Sequence, residues 1–398
     1  MTSPTTSPTS GPDPGTPTWL RTRNDRTALG LLLEHGPLSR SQLGRLSGMS
    51  KPTAGQMIAR LERLGLVLPV GETSESRGPN AVVYGVRPDV VCGVAVSVLA
   101  DTLEAVLTDP LGTAHPVAEV ALAGRERSPE ADVGAAVEAA CRAAGADPAS
   151  VTVVVVGVQA AVDVAADELS FTDTLPGWPR RGARARLERS TGVEVTLEND
   201  VNLATLAERA TPELVDARDF ALLWVGEGIG VGVVDGGAVR RGAFGGAGEI
   251  GYLEVPRSAV AIDPDAWDVT DLLGGPAVVG LLGGAPEEPL RSALTRLDDG
   301  VRAQLAERIA LVVAPLVGLL DPGVLVLGGP TGLAGGPELA TAVQTRVEAA
   351  LRRADPRDGL GRLRVLVSSS GPQPVLRGAG ELLVADLRTR LESRIAVP

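Results

Sequence analysis

From Val90 onward the chain alternates short runs of Val, Leu and Ala with helical stretches, and the alternation occurs twice in the same order. Val90–Val98, Leu103–Thr108 and Thr113–Leu122 read as three strands, with Asp109-Pro110-Leu111-Gly112 a tight turn. A helix over Ala131–Ala144, a buried strand over Val151–Val156, a strand near Val193–Leu197 and a helix from Asn199 complete the first set. The second set opens with strands over Phe220–Val225 and Gly230–Val234 and passes through several helices. It closes with strands over Val324–Leu327 and Leu363–Ser368 on either side of another helix. Two such arrays in series predict a duplicated α/β fold whose ligands bind in a cleft between lobes.

With 398 residues, 44% of them apolar and 2% aromatic, the cores must be built from Val, Leu and Ala. Residues 1–18 are Pro, Thr, Ser and Gly with almost no large apolar side chain, and are expected to be disordered. They contain neither a basic region nor an apolar stretch of the secretory type. The longest apolar run, Ile309–Leu320, is too short to cross a bilayer. A cytoplasmic protein with no membrane partner is expected. Cys92 and Cys141 lie in apolar segments and imply neither a disulfide framework nor a metal cluster, so neither a metal nor a cofactor is assigned.

The net charge of −12 is unevenly divided. Residues 1–90 carry ten Lys/Arg against seven Asp/Glu, whereas the rest carry 27 against 42. A basic front end on an acidic body is the distribution expected when only the front end meets DNA.

That front end reads as three helices and a hairpin. The first helix covers about Asn24–His35 and stops before Gly36-Pro37. The second opens at Ser39 with Gln42 three residues on, a capping-box spacing, and ends at Gly48. The third begins at Ser50 with Pro52 in its first turn and repeats Ala54, Ile58, Leu61 and Leu64 at helical spacing. Short strands around Leu66–Val70 and Ala81–Val86 follow, joined by GETSESRGPN. Residues 19–88 are therefore expected to form a winged helix-turn-helix, an ordinary small helical domain being the alternative. Its third helix would enter the major groove of a double-stranded operator, offering Ser50, Lys51, Thr53, Gln56 and Arg60. Arg77 at the wing tip would reach the minor groove or remain a solvated loop arginine.

Five glycines crowd into VGEGIGVGVVDGG at 225–237. Glycines at that density let a backbone approach a phosphate, yet Glu227 lies between the first two. At an effective dielectric near 20, two unit charges 4 Å apart repel by about 4 kcal/mol. The run is either a nucleotide cradle or the remains of one.

Three stretches belong together: LENDVNLATLAE (197–208), VGEGIGVGVVDGGAVRRGAFGGAGEIGY (225–252) and LDPGVLVLGG (320–329). Their order and wording resemble the ROK family of repressors, open reading frames and kinases. The SKPT helix start and RGP wing resemble its repressor branch, and the resemblance covers nearly everything from residue 20 onward. It implies an actin-like, ribonuclease H-like duplicated two-lobe sugar-kinase fold over residues 89–398. It also implies that Asn199, Asp200 and Glu249 contact a sugar, with Tyr252 in the place of a sugar-contacting histidine as a fourth ligand-binding residue that can donate a hydrogen bond and stack on a sugar face, and Asp200 matching the general base of the family's kinases. Taken without the resemblance, Asn199-Asp200 before a helix is more often an N-cap.

Three departures from the pattern bear on activity. Ala95 stands where the kinases have a metal-side aspartate, and Glu227 where they have a hydroxyl residue facing phosphate. Tyr252 replaces a histidine, and PRSAVAIDPDAWD falls where many members carry zinc-binding cysteines. The resemblance thus implies a sugar-responsive transcriptional repressor without kinase activity, a homo-dimer or tetramer acting on paired half-sites. Two alternatives remain: a sugar kinase with an added DNA-binding head, or a regulator whose second domain only oligomerises or binds a non-sugar ligand.

Overall fold

The computed structural model describes residues 16–73, 81–122, 127–172, 175–354 and 363–395. The front unit runs α1 (Pro17–His35), β1 (Leu38–Ser39), α2 (Arg40–Ser47), α3 (Lys51–Arg63), β2 (Val67–Thr73) and β3 (Ala81–Val86). The capping box forms as expected: Gln42 N–H donates to Ser39 Oγ at 3.2 Å, and Ser39 N–H to Gln42 Oε1 at 2.7 Å. Gly48 closes α2 in the left-handed conformation, φ 69°. Leu29, Leu32, Leu43, Ala54, Met57, Ile58 and Leu61 are buried between the three helices.

Two local features differ from expectation. Helix α1 begins at Pro17 rather than Asn24, because Thr16 Oγ accepts from Trp19 N–H and Pro17 fits the first turn. Thr16, Pro17 and Thr18 thus belong to a helix start rather than to a disordered tail; residues 1–15 lie outside the described residues. The short strand β1, hidden in Leu38-Ser39, pairs antiparallel with β3 and completes a sheet of order β1-β3-β2. The wing tip with Arg77 also lies outside the described residues.

Behind this unit the first lobe contains β4 (Cys92–Val98), β5 (Thr102–Thr108), β6 (Ala118–Ala121), α4 (Pro129–Ala144), β7 (Val151–Val158), the hairpin β8 (Ala161–Asp163) and β9 (Glu168–Ser170), α5 (Ala183–Thr191), β10 (Glu194–Asn199) and α6 (Asp200–Arg209). The second contains β11 (Phe220–Val225), β12 (Ile229–Asp235), β13 (Ala238–Val239), α7 (Val269–Leu273), α8 (Gly275–Leu281), α9 (Leu290–Ala293), α10 (Asp299–Leu320), β14 (Val324–Gly328), α11 (Gly329–Ala354), β15 (Arg364–Val367) and α12 (Pro374–Ser393).

The duplication is visible strand by strand. The first sheet has the order β6-β5-β4-β7-β10 and the second β13-β12-β11-β14-β15. In each, the first three strands are antiparallel neighbours and the last two pair in parallel. Each fifth strand leads into a helix, α6 in one lobe and α12 in the other, and these two helices pack on each other. Helix α12, which the periodicity reading missed, lies on β4 and β7 of the first lobe although it follows the last strand of the second. Its Leu376, Leu383, Leu387 and Leu391 are buried there.

Among the described residues, α10 has the length and apolarity of a membrane span, with mean hydropathy 1.7. It is longer than the run Ile309–Leu320 because Asp298 caps it a full three turns earlier. It packs against α7 and α11, and buried Arg308 bonds Asp263 and the carbonyl of Leu272 within the second lobe.

Candidate functional site

Helix α3 presents its face through a polar N-terminus. Ser50 Oγ accepts from Thr53 N–H at 3.3 Å and lies 2.8 Å from Thr53 Oγ1, so both hydroxyls organise the helix start. Lys51 and Gln56 are exposed, Thr53 is half-buried, and Ala54, Met57, Ile58 and Leu61 turn inward. Arg60 departs from expectation. Its Nε and Nη2 donate to Asp25 Oδ2 and Oδ1 of α1 at 2.7 and 2.6 Å. A guanidinium held by both prongs in a carboxylate is committed to joining helices and is not aimed at bases.

At the end of β10 the sequence Glu198-Asn199-Asp200 turns directly into α6. Asn199 divides its amide between two tasks. Its Oδ1 accepts from Asn202 N–H at 3.0 Å, the N-cap bond. Its Nδ2 donates to the Ala160 carbonyl at 3.1 Å and to Glu249 Oε1 at 3.4 Å. The cap and site readings are therefore both realised by one side chain. Asp200 occupies the first helical position, with Val201 N–H donating to its Oδ1 at 2.8 Å.

Burial pushes the Asp200 carboxyl up to about 7, and the nearby charge of Glu249 adds to that, against the pull of backbone N–H groups. Burial also raises Glu249. As whole residues Asn199, Asp200 and Glu249 are half-buried, with the Asp200 carboxyl itself turned inward. Glu249 is delivered by Gly248, whose φ of 92° suits glycine and whose carbonyl accepts from Val231 N–H at 2.9 Å.

Glu198 was not singled out by sequence reasoning. It is 5% exposed and accepts from Arg241 Nε at 2.5 Å, Asn202 Nδ2 at 3.0 Å and Asn199 N–H at 3.1 Å. Arg241 belongs to the loop that carries Glu249, so this ion pair ties the two lobes' contributions together. The available signal was an acid that follows Leu197 directly and precedes Asn199-Asp200. Glu208 makes a second tie: it accepts from Ser368 Oγ at 2.7 Å and Ser369 N–H at 2.8 Å, joining α6 to the segment before α12.

Tyr252 lies one 3-10 turn past Glu249 and stacks on Phe171, ring centroids 4.6 Å apart and planes 27° from parallel. Neither of two cavities among the described residues is lined by Asn199, Asp200 or Glu249. One, about 440 Å³, is bounded by Trp224, Arg291, Thr295, Pro330 and Ser368. The other, about 330 Å³, is bounded by Glu198 and Arg241 together with Thr196, Leu382 and Asp386.

The glycine-rich turn sits between β11 and β12, where Gly226 N–H donates to the Gly228 carbonyl at 3.1 Å. Gly275 N–H donates to the Glu227 carbonyl at 3.2 Å, and a Cβ on Gly275 would collide with Glu227 Oε2. The carboxylate thus lies against the start of α8. Ala95 is wholly buried in β4.

A sequence model of the ROK family matches residues 100–280, and one of the MarR family matches residues 21–74. A relative from Caldicellulosiruptor sp. (strain Rt8B.4), provisionally named a xylose repressor, is 22% identical over 336 residues, 78% of this chain and 84% of that protein. A crystal structure of a ROK family transcriptional regulator, described as a homologue of the E. coli MLC protein, is 18% identical with TM-score 0.64, covering 94% of this chain and 99% of that one. The ROK hexokinase of Thermus thermophilus is 26% identical with TM-score 0.56, covering 75% of this chain and 99% of that one.

Proposed function

We propose, for a chain that carries a ROK family domain behind a MarR-type winged helix, that it is a DNA-binding repressor whose affinity for its operator is set by a sugar. The observation that carries this reading is the meeting of Asn199, Asp200 and Glu249 at the joint of two lobes, in a chain headed by a capped helix with Lys51 and Gln56 exposed. Two carboxylates beside an amide offer the acceptors and the donor that sugar hydroxyls need. The repressor name of the relative from Caldicellulosiruptor supports the same reading. Two copies would place two winged helices on paired half-sites.

The absence of phosphoryl transfer is part of the proposal. Glu227 holds negative charge beside Gly275, where an approaching phosphate would be repelled, and Ala95 leaves β4 without a metal-side carboxylate. One observation favours the kinase alternative: a carboxyl raised to about 7, as at Asp200, suits a general base. A thermal-shift screen of pentoses, hexoses and disaccharides, run beside a coupled ADP-release assay, separates the readings. Stabilisation by a sugar without ADP release supports the repressor. Sugar-dependent ADP release that disappears in Asp200→Asn establishes the kinase.

A further inference from the structure

The chain is poor in aromatic residues, with four Trp, three Phe and two Tyr. Four of these nine, Phe171, Phe244, Tyr252 and Trp267, are exposed by 41, 77, 50 and 71%. All four lie on connections that lead into the Asn199–Glu249 site. Phe171 ends the β8–β9 hairpin, and Asn199 donates to Ala160 just before that hairpin. Phe244 stands between Arg241, bound to Glu198, and Glu249. Tyr252 ends the 3-10 turn Ile250–Tyr252 that Glu249 immediately precedes. The carbonyl of Trp267 accepts from Val255 N–H at 3.1 Å, three residues beyond Tyr252.

Phe171 holds a left-handed backbone, φ 58°, which is unusual for a bulky side chain and marks a position fixed by its surroundings. In that conformation its ring meets Tyr252 from the opposite lobe. Large apolar rings left in water at the rim of a polar site are the arrangement that takes the apolar face of a second ring while acceptors grip the first.

We propose that the effector is a disaccharide or longer oligosaccharide, with its first ring on Asn199, Asp200 and Glu249 and its second ring on the Phe171–Tyr252 stack. This rests on the sugar-binding reading given above. Phe171 is then the residue that selects chain length, because it contributes a ring to the second position and nothing to the first.

The test is calorimetry on the full chain with xylose and xylobiose, glucose, cellobiose and maltose, and p-nitrophenyl glucoside as the probe for an aryl group in place of a second sugar. The wild type is expected to bind a disaccharide at least tenfold more tightly than its monosaccharide. Phe171→Leu, which keeps apolar bulk and loses the ring, is expected to lower disaccharide affinity about tenfold and to leave monosaccharide affinity within twofold. Phe171→Gly, which relaxes the backbone, should show the same pattern and so separates loss of the ring from loss of the fold. Equal affinity for one and two rings, or equal weakening of both by Phe171→Leu, overturns the proposal and leaves the sugar reading standing. Binding of the aryl glucoside alone overturns it in favour of an aromatic aglycone. Binding of no sugar of either length overturns both.

Discussion

Arg60 of the third helix and Asp25 of the first form a two-pronged ion pair, with 2.7 and 2.6 Å hydrogen bonds and the carboxylate side chain only 6% exposed. The pair fixes the angle of the helix that faces outward, and it removes Arg60 from the set of side chains free to touch DNA.

Replacing Asp25 with Ala should therefore destabilise the winged helix. Removing one partner of a buried pair costs about 3–5 kcal/mol, and the partial exposure of Arg60 lowers the expectation to about 2–3 kcal/mol. Urea unfolding followed through the front unit measures this; a change below about 0.5 kcal/mol would show the pair to be incidental.

Salt dependence distinguishes direct from indirect contacts on the same helix. Each phosphate contact contributes about 0.9 to the slope of log affinity against log salt. Lys51→Ala should reduce that slope by about one, and Arg60→Ala should weaken binding with the slope unchanged. Gln56→Ala should cost about 1–3 kcal/mol at one base pair if Gln56 reads a base edge. Fluorescence anisotropy on the DNA upstream of the protein's own gene reads all three.

The winged helix was legible because its signals are local: a capping box, a proline in a first turn and a glycine at a helix end all act within four residues. The contacts that correct the reading are not local. Asp25 and Arg60 are 35 positions apart, and Phe171 finds Tyr252 only after the second lobe has folded back. Helix α12 escaped notice because its partner α6 lies in the other lobe, so its burial is settled by packing rather than by its own pattern. Thr16 and Pro17 were read with the Pro/Thr-rich tail around them, although a threonine before a proline is also a helix start. At Asn199 one amide serves both the helix cap, with its oxygen, and the site, with its nitrogen.

The carboxyl of Asp200 gives a pH signature. Its folded-state value of about 7 exceeds the ordinary 3.8, so the folded protein binds the proton more tightly than the unfolded chain between those two values. Stability is highest while Asp200 is protonated and falls as pH rises from 4 toward 7. Asp200→Asn removes this loss, so the variant should gain on the wild type as pH rises from 5 to 8, by about 2–4 kcal/mol at the upper end. Urea midpoints at pH 5 and 8 test it; a difference that stays flat with pH would count against the burial of this carboxyl.

Glu227 should act as a barrier to nucleotide. Glu227→Thr removes the charge beside Gly275 and is expected to raise ATP affinity at least tenfold in equilibrium dialysis, without creating sugar-dependent ADP release because Ala95 remains. ATP affinity equal in wild type and variant would show that the carboxylate does not guard the turn.

A sugar held by Asn199, Asp200 and Glu249 is expected to change the affinity of the winged helix for DNA. Anisotropy with the upstream DNA fragment, measured with and without the sugar that gives the largest thermal shift, tests it most directly. Adding sugar to the wild type should lower DNA affinity at least tenfold, with no response in Glu249→Ala at the same sugar concentration. DNA affinity that is unchanged while the sugar is bound would contradict it.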